Sequence, residues 1–217
     1  MPKQPGPRRR SGAAAAPVPT RDAILEAASR CIIRHGHARL STRAVAVEAG
    51  VNQSLIHYYF GTKERLMLAV LERMTGSLLK RQTEMYDSPA SFADKWAAAG
   101  RFYEQDLASG YVRLIMELTG LGLSNPAIGV EVRRIWGEWR ALLTRVAHEA
   151  LTHFGITGVT AEEVCAYARC FWQGMELEMM LGIPEAEGHH WQSLRTFERF
   201  LRWLEAERAA GRTPAIT

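Results

Sequence analysis

With 217 residues, 47% hydrophobic and 23% charged, the chain has ordinary globular composition and a length suited to one large domain or two small ones. Three cysteines without a close pair exclude a disulfide framework or a four-thiolate zinc site, and the longest uncharged stretches, residues 49–62 and 118–130, are too short and too polar to span a bilayer. The net charge of +4 hides an asymmetry: residues 1–63 carry ten Lys/Arg against three Asp/Glu, residues 64–217 seventeen against twenty, as expected of a chain whose basic end meets a polyanion.

Residues 1–19 are rich in Pro, Gly, Ala and Arg and read as a flexible basic arm. Arg8, Arg9 and Arg10 ahead of Ala13 to Ala16 imitate a secretion signal, but Pro17 and Pro19 break the apolar run, so a cytoplasmic location is expected. From there helix signals dominate. Thr20 can cap a first helix that buries Ile24, Ala27, Ala28, Cys31 and Ile32 and ends at Gly36. Ser41 caps a short second helix, the Gly50-Val51-Asn52 turn follows, and a third short helix runs from about Gln53 to Phe60. Thr62 caps a long fourth helix. Longer helices are then expected over 91–108, 111–123, from Pro126 to Phe154, from a Thr160/Glu163 capping box to Leu181, and from His190 to Ala209, with a loop over 184–188. The fold class expected is all-α: a compact head of short helices followed by a body of longer helices. The boundaries are 1–19 for the arm, 20–66 for the head, 67–210 for the body and 211–217 for a tail.

The head has helix-turn-helix spacing, with Ala46 allowing close helix approach, Gly50 supplying the turn and Val51 filling the angle. Its third helix is unusual for a core element. Gln53, Ser54, His57, Tyr58 and Tyr59 are polar or amphipathic, a set able to meet base edges and phosphates. Residues 20–66 resemble the DNA-binding domain of the TetR family of bacterial transcriptional regulators. The run from Arg43 to Leu66 carries the resemblance, with its Ala49-Gly50-Val51 turn and its Tyr59-Phe60-Gly61-Thr62-Lys63-Glu64-Arg65-Leu66 end. Two positions depart: His57 stands where the family usually has tyrosine, and Ser54 where glycine is common.

The resemblance implies an all-α fold with an N-terminal three-helix helix-turn-helix DNA-binding domain plus a C-terminal helical ligand-binding and dimerisation domain. In the head it implies that Thr42 and Arg43 touch phosphate, with Arg43 in reach of a base. It places Gln53 and Ser54 in the major groove, and His57, Tyr58 and Tyr59 on phosphates or base edges. Lys63 would meet phosphate at a helix N-terminus, and Arg8 to Arg10 would add minor-groove or non-specific contact.

The body concentrates bulky apolar side chains, and the plain reading of most is core. The resemblance implies that some line an effector cavity, and the candidates are Trp96, Phe102, Tyr103, Met116, Trp136, Trp139, Trp172 and Met175. Glu117 joins them because it interrupts an apolar run and would be costly to bury unpaired. Such walls favour a small hydrophobic effector. Phe171, Met179, Trp191, Leu194, Phe197 and Leu201 on the last two long helices form the expected dimer interface, a four-helix bundle between two copies. Cys165 and Cys170 read as buried small apolar residues. No cofactor or metal is expected, and no nucleotide-binding or hydrolase string occurs. The function expected is a homodimeric regulator, a repressor released from a palindromic operator in double-stranded DNA by a small hydrophobic ligand. A non-switching DNA-binding dimer and a helical enzyme are the rivals.

Overall fold

The computed structural model describes residues 21–36 and 39–212. The expected basic arm (1–19), the Thr20 cap and most of the 211–217 tail lie outside them. The described residues form helices α1 (Arg21–His35), α2 (Thr42–Ala49), α3 (Gln53–Phe60), α4 (Lys63–Tyr86), α5 (Phe92–Ala108), α6 (Tyr111–Ser124), α7 (Pro126–Phe154), α8 (Ala161–Leu181), α9 (Glu185–Gly188) and α10 (His190–Ala209). The short α9 corrects the expected 184–188 loop: Pro184 fixes its entry, and Glu187 and Gly188 both donate to the Pro184 carbonyl.

Capping explains why the elements begin where they do. Ser41, Asn52, Thr62, Ser91, Asn125 and Thr160 each accept a backbone N–H from the first turn of α2, α3, α4, α5, α7 and α8. Thr160 and Glu163 complete the reciprocal box. Gly50 closes α2 at φ +66°, a left-handed conformation, and nothing crowds the place where its Cβ would stand. Gly50→Ala therefore tests backbone strain alone. The variant should lose about 1 kcal/mol, or roughly 2–4 °C in melting temperature; an unchanged melting curve would contradict the strained turn.

Ile24, Ala27, Ala28, Cys31 and Ile32 give α1 one buried face, which packs on Val45 and Ala46 of α2, Ile56 and Phe60 of α3, and Leu66, Val70 and Leu71 of α4. This core continues without a break into Leu114, Ile115 and Leu118 of α6 and Ile135 of α7. The head and body are thus joined through α4, and the expected 66/67 boundary falls inside that helix. The turn before α6 adds a second junction, because a Cβ on Gly110 would stand 3.2 Å from Ile32 of α1. Cys165 is buried, but Cys170 is exposed, which corrects its expected burial; it shares the outer face of α8 with Tyr167 and Gly174.

Candidate nucleic-acid interface and ligand cavity

α2 and α3 present a polar face held in shape by its own hydrogen bonds. Gln53 Nε2 donates to Thr42 Oγ1 at 2.8 Å, linking the two helices, and lies 3.5 Å from His57 Nε2. His57 Nδ1 is 3.0 Å from the Gly61 carbonyl, which only accepts, so Nδ1 carries the proton and Nε2 is left as an acceptor. With its two N–H groups directed at Thr42 and His57, Gln53 keeps Oε1 for a partner. Tyr58 is 80% exposed and Tyr59 37%, their rings meeting edge to face at 5.3 Å. Neither tyrosine sits in the core. Arg43 and Ser54 are exposed, Thr42 and Lys63 half-buried, and Arg39 and Arg65 add exposed positive charge nearby. On the far side of α2, Arg30 and Arg34 of α1 grip Glu48 at 2.7 and 3.0 Å. Arg30 first, then Arg34, holds the Glu48 carboxyl below its usual range.

The body encloses a cavity of about 110 Å³. Five helices line it. α4 contributes Gln82 and Tyr86; α5 Ala99, Tyr103 and Asp106; α6 Tyr111 and Val112; α7 Trp136, Trp139 and Leu143. α8 contributes Arg169, Trp172, Gln173 and Glu176, spaced i, i+3, i+4 and i+7 on one helical face. Tyr103, Trp136, Trp139 and Trp172 of the expected set are lining residues. The other candidates are not. Trp96 joins α5 to α10 through its indole N–H on the Leu194 carbonyl, 2.9 Å away. The Phe102 ring is covered by the Arg81 guanidinium at 4.3 Å. Met116 packs against the main core and Met175 is buried in it. Glu117 is half-buried on α6: burial pushes its carboxyl up, and the charges of Arg113 and Lys63 pull it back, which places it toward the head.

The acidic groups of the cavity are Asp106 and Glu176. Asp106 is 6% exposed and accepts from Arg81 Nη2 at 2.6 Å; burial pushes its carboxyl up against that pairing. Burial, reinforced by the charge of Asp106, pushes Glu176 up to about 8. Its Oε2, Gln82 Oε1 and Arg169 Nε are buried without a hydrogen-bond partner. Burial also raises the Tyr111 hydroxyl to about 12, and this hydroxyl lies 3.1 Å from Thr75 Oγ1 on α4 while accepting from Trp139 Nε1 at 2.7 Å. Gln82, Arg169, Gln173 and Glu176 were missed in the sequence; the usable signal was three polar residues sharing one α8 stripe with Trp172.

Of the expected dimer residues, Phe171 and Phe197 are exposed at 37% and 42%. Leu194 and Leu201 are buried within the chain, at 6% and 8%, and correct the expectation: one face of α10 is taken by α5. Trp191 and Met179 are half-buried against Tyr103, whose hydroxyl donates to Met179 Sδ at 3.9 Å. Exposed apolar residues continue instead through Phe200 and Trp203 on α10 and Tyr167, Leu177 and Leu181 on α8. Among the described residues no helix is long and apolar enough to cross a membrane.

The fold and its polar third helix define a helix-turn-helix protein with a cavity-bearing helical body. The pattern for bacterial regulatory proteins of the tetR family matches residues 24–70. The regulator BetI of Agrobacterium fabrum is 38% identical over 58 residues, 27% of this chain and 28% of that protein. The repressor Rv3405c of Mycobacterium tuberculosis is 34% identical over 90 residues, 41% of this chain and 47% of that protein. The chain thus aligns with less than half the length of these curated relatives. A transcriptional-regulator structure from Saccharomonospora viridis, solved in complex with choline, superposes with a TM-score of 0.66 at 21% identity, covering 81% of this chain and 93% of that one. Another from Pseudomonas aeruginosa PAO1 gives 0.61 at 25% identity, covering 85% and 89%. The N-terminal helices, residues 24–70, thus carry the pattern of the tetR family of bacterial regulatory proteins, and the body shares the fold of the two regulator structures.

Proposed function

We propose that the protein is a homodimeric DNA-binding transcriptional regulator, a repressor that leaves a palindromic operator when a small molecule fills the body cavity. The observation that carries this reading is the solvent-facing polar surface of α3, where Gln53, Ser54, His57, Tyr58 and Tyr59 stand together over a buried Ile56 and Phe60. Thr42, Arg43 and Lys63 flank them as phosphate contacts, with the α4 N-terminus behind Lys63. The regulator and repressor names of the matched relatives support the same reading. Response to a ligand is supported by the cavity and by the choline held in the Saccharomonospora protein of like fold. α4 joins the two ends, since it lines the cavity with Gln82 and Tyr86, meets Tyr111 through Thr75, and begins in the head at Lys63.

The test is selection of bound fragments from a random DNA library by the purified protein. An enriched two-fold-symmetric site, with half-sites about one helical turn apart, is the expected result; enrichment of no sequence, with binding tracking salt alone, would refute it. On the selected site, Lys63→Ala should weaken all sequences alike and reduce the salt slope by about one unit. An unchanged slope would remove Lys63 from the phosphate contacts.

A further inference from the structure

Several polar groups around the cavity are already occupied by the protein, and which ones are left shows what the cavity offers. Trp136 Nε1 donates to Thr119 Oγ1 at 3.0 Å, Trp139 Nε1 donates to the Tyr111 hydroxyl, and that hydroxyl also meets Thr75. With these edges engaged, the rings offer mainly π surface, whose negative face attracts cations. Two acceptors, Glu176 Oε2 and Gln82 Oε1, are buried and unpartnered. Asp106 has its counter-charge in Arg81, whereas Glu176 has no such ion pair among the described residues. Arg169 lies two turns before Glu176 on α8, about 10 Å along the axis, so the two backbone positions are set well apart along the lining.

We propose that this cavity takes a small organic cation, a quaternary or tertiary alkylammonium, seated on the ring faces of Trp139, Trp172 and Tyr103 with the Glu176 carboxylate as its counter-charge. The proposal rests on reading the cavity as the effector site, and it narrows the small hydrophobic effector expected from the sequence to one that carries a positive charge. The size fits: 110 Å³ holds on the order of ten water-sized groups. Tyr103 and Asp106 of α5, Tyr86 and, through Asp106, Arg81 of α4, Tyr111 of α6 and Arg169 of α8 are the titratable or charged groups around Glu176; α7 adds none to the lining. Because burial keeps the Glu176 carboxyl protonated up to about pH 8, an arriving cation displaces its proton, and the carboxylate then forms the ion pair.

Calorimetry and tryptophan fluorescence on the full chain without DNA test this, with tetramethylammonium chloride as probe, tert-butanol as a neutral analogue of similar shape and sodium acetate as an anion. Saturable tetramethylammonium binding, at least tenfold tighter than tert-butanol, is expected. It should weaken on the order of tenfold for each pH unit below 8. Glu176→Gln should weaken it at least tenfold at pH 8 and remove the pH dependence, and Trp172→Leu should weaken it without removing that dependence. Equal affinity for tert-butanol, saturable acetate binding lost in Arg169→Gln, or no saturable ammonium binding would each overturn the proposal. Gel shifts on the selected DNA separate the two readings. Ammonium binding that leaves DNA affinity unchanged upholds the cation site and removes its regulatory role. Release of DNA by neutral or anionic compounds only upholds the regulator and overturns the cation site.

Discussion

Phe197→Asp combined with Phe200→Asp is expected to convert the proposed dimer to a monomer in light scattering, and to weaken binding to the selected DNA site by about 10²–10⁴-fold, the advantage that joining two binding modules confers. Phe197 and Phe200 are 42% and 46% exposed and stack in series with Trp203, at ring separations of 5.8 and 5.7 Å. A chain of rings from Phe197 through Trp96 and Trp172 to Phe171 connects this stripe to the exposed apolar face of α8. An apolar surface of this kind marks an interface, and burying two carboxylates in it is prohibitive. The fold should survive, because Leu194, Leu201 and Leu204 hold α10 to the rest of the chain from its other side. Unchanged circular dichroism with a monomeric mass is the expected pair of readings. A dimer that persists would place the interface elsewhere.

Glu176→Gln should stabilise the protein by an amount that grows with pH. The folded carboxyl titrates near 8 and the unfolded one near its ordinary value of 4.5. Below 4.5 both states hold the proton and Glu176 carries no penalty. Between 4.5 and 8 the unfolded state releases it while the folded state keeps it, so wild-type stability falls as pH rises, and the loss is complete above 8. At about 1.4 kcal/mol per pH unit, reduced for the partial exposure of the side chain, the gain at pH 9 is on the order of 2–4 kcal/mol. In a chain of this size that is roughly 4–16 °C in melting temperature. At pH 4 the two proteins should melt together. An equal gain at both pH values would show that Glu176 is not held protonated by the fold.

Much of the architecture was legible because it is written in local chemistry. Ser41, Thr62 and Thr160 announce helix starts, Gly36 and Gly50 mark ends, and these signals act within a few residues. The polar face of α3 was equally visible, since five such residues in one short helix have no place in a core. The cavity was not legible, because its wall is assembled from five helices separated in sequence by up to 94 residues, from Gln82 to Glu176. Glu117 drew notice by interrupting an apolar run, yet helical rotation turns it toward Arg113 and Lys63. Glu176 drew none, although its spacing from Trp172 and Arg169 places all three on one stripe. Leu194 and Leu201 misled for a related reason. α10 is apolar on two faces, and sequence periodicity does not say which face meets α5 and which is left outside.

The contact of Thr75 with the Tyr111 hydroxyl divides α4 unequally. Gln82 in the cavity wall lies seven residues beyond it, about 10 Å, and Lys63 in the head lies twelve before it, about 18 Å. If α4 pivots there under the proposed function, its longer arm points toward the head, and a displacement of about 1 Å at Gln82 would become about 1.7 Å at Lys63. Two copies related by two-fold symmetry would move their heads in opposite senses, and the separation would change by about 3.4 Å, the rise of one base-pair step. A guest that shifts the cavity wall by less than a bond length would thus misregister the two recognition helices by a full step of the duplex.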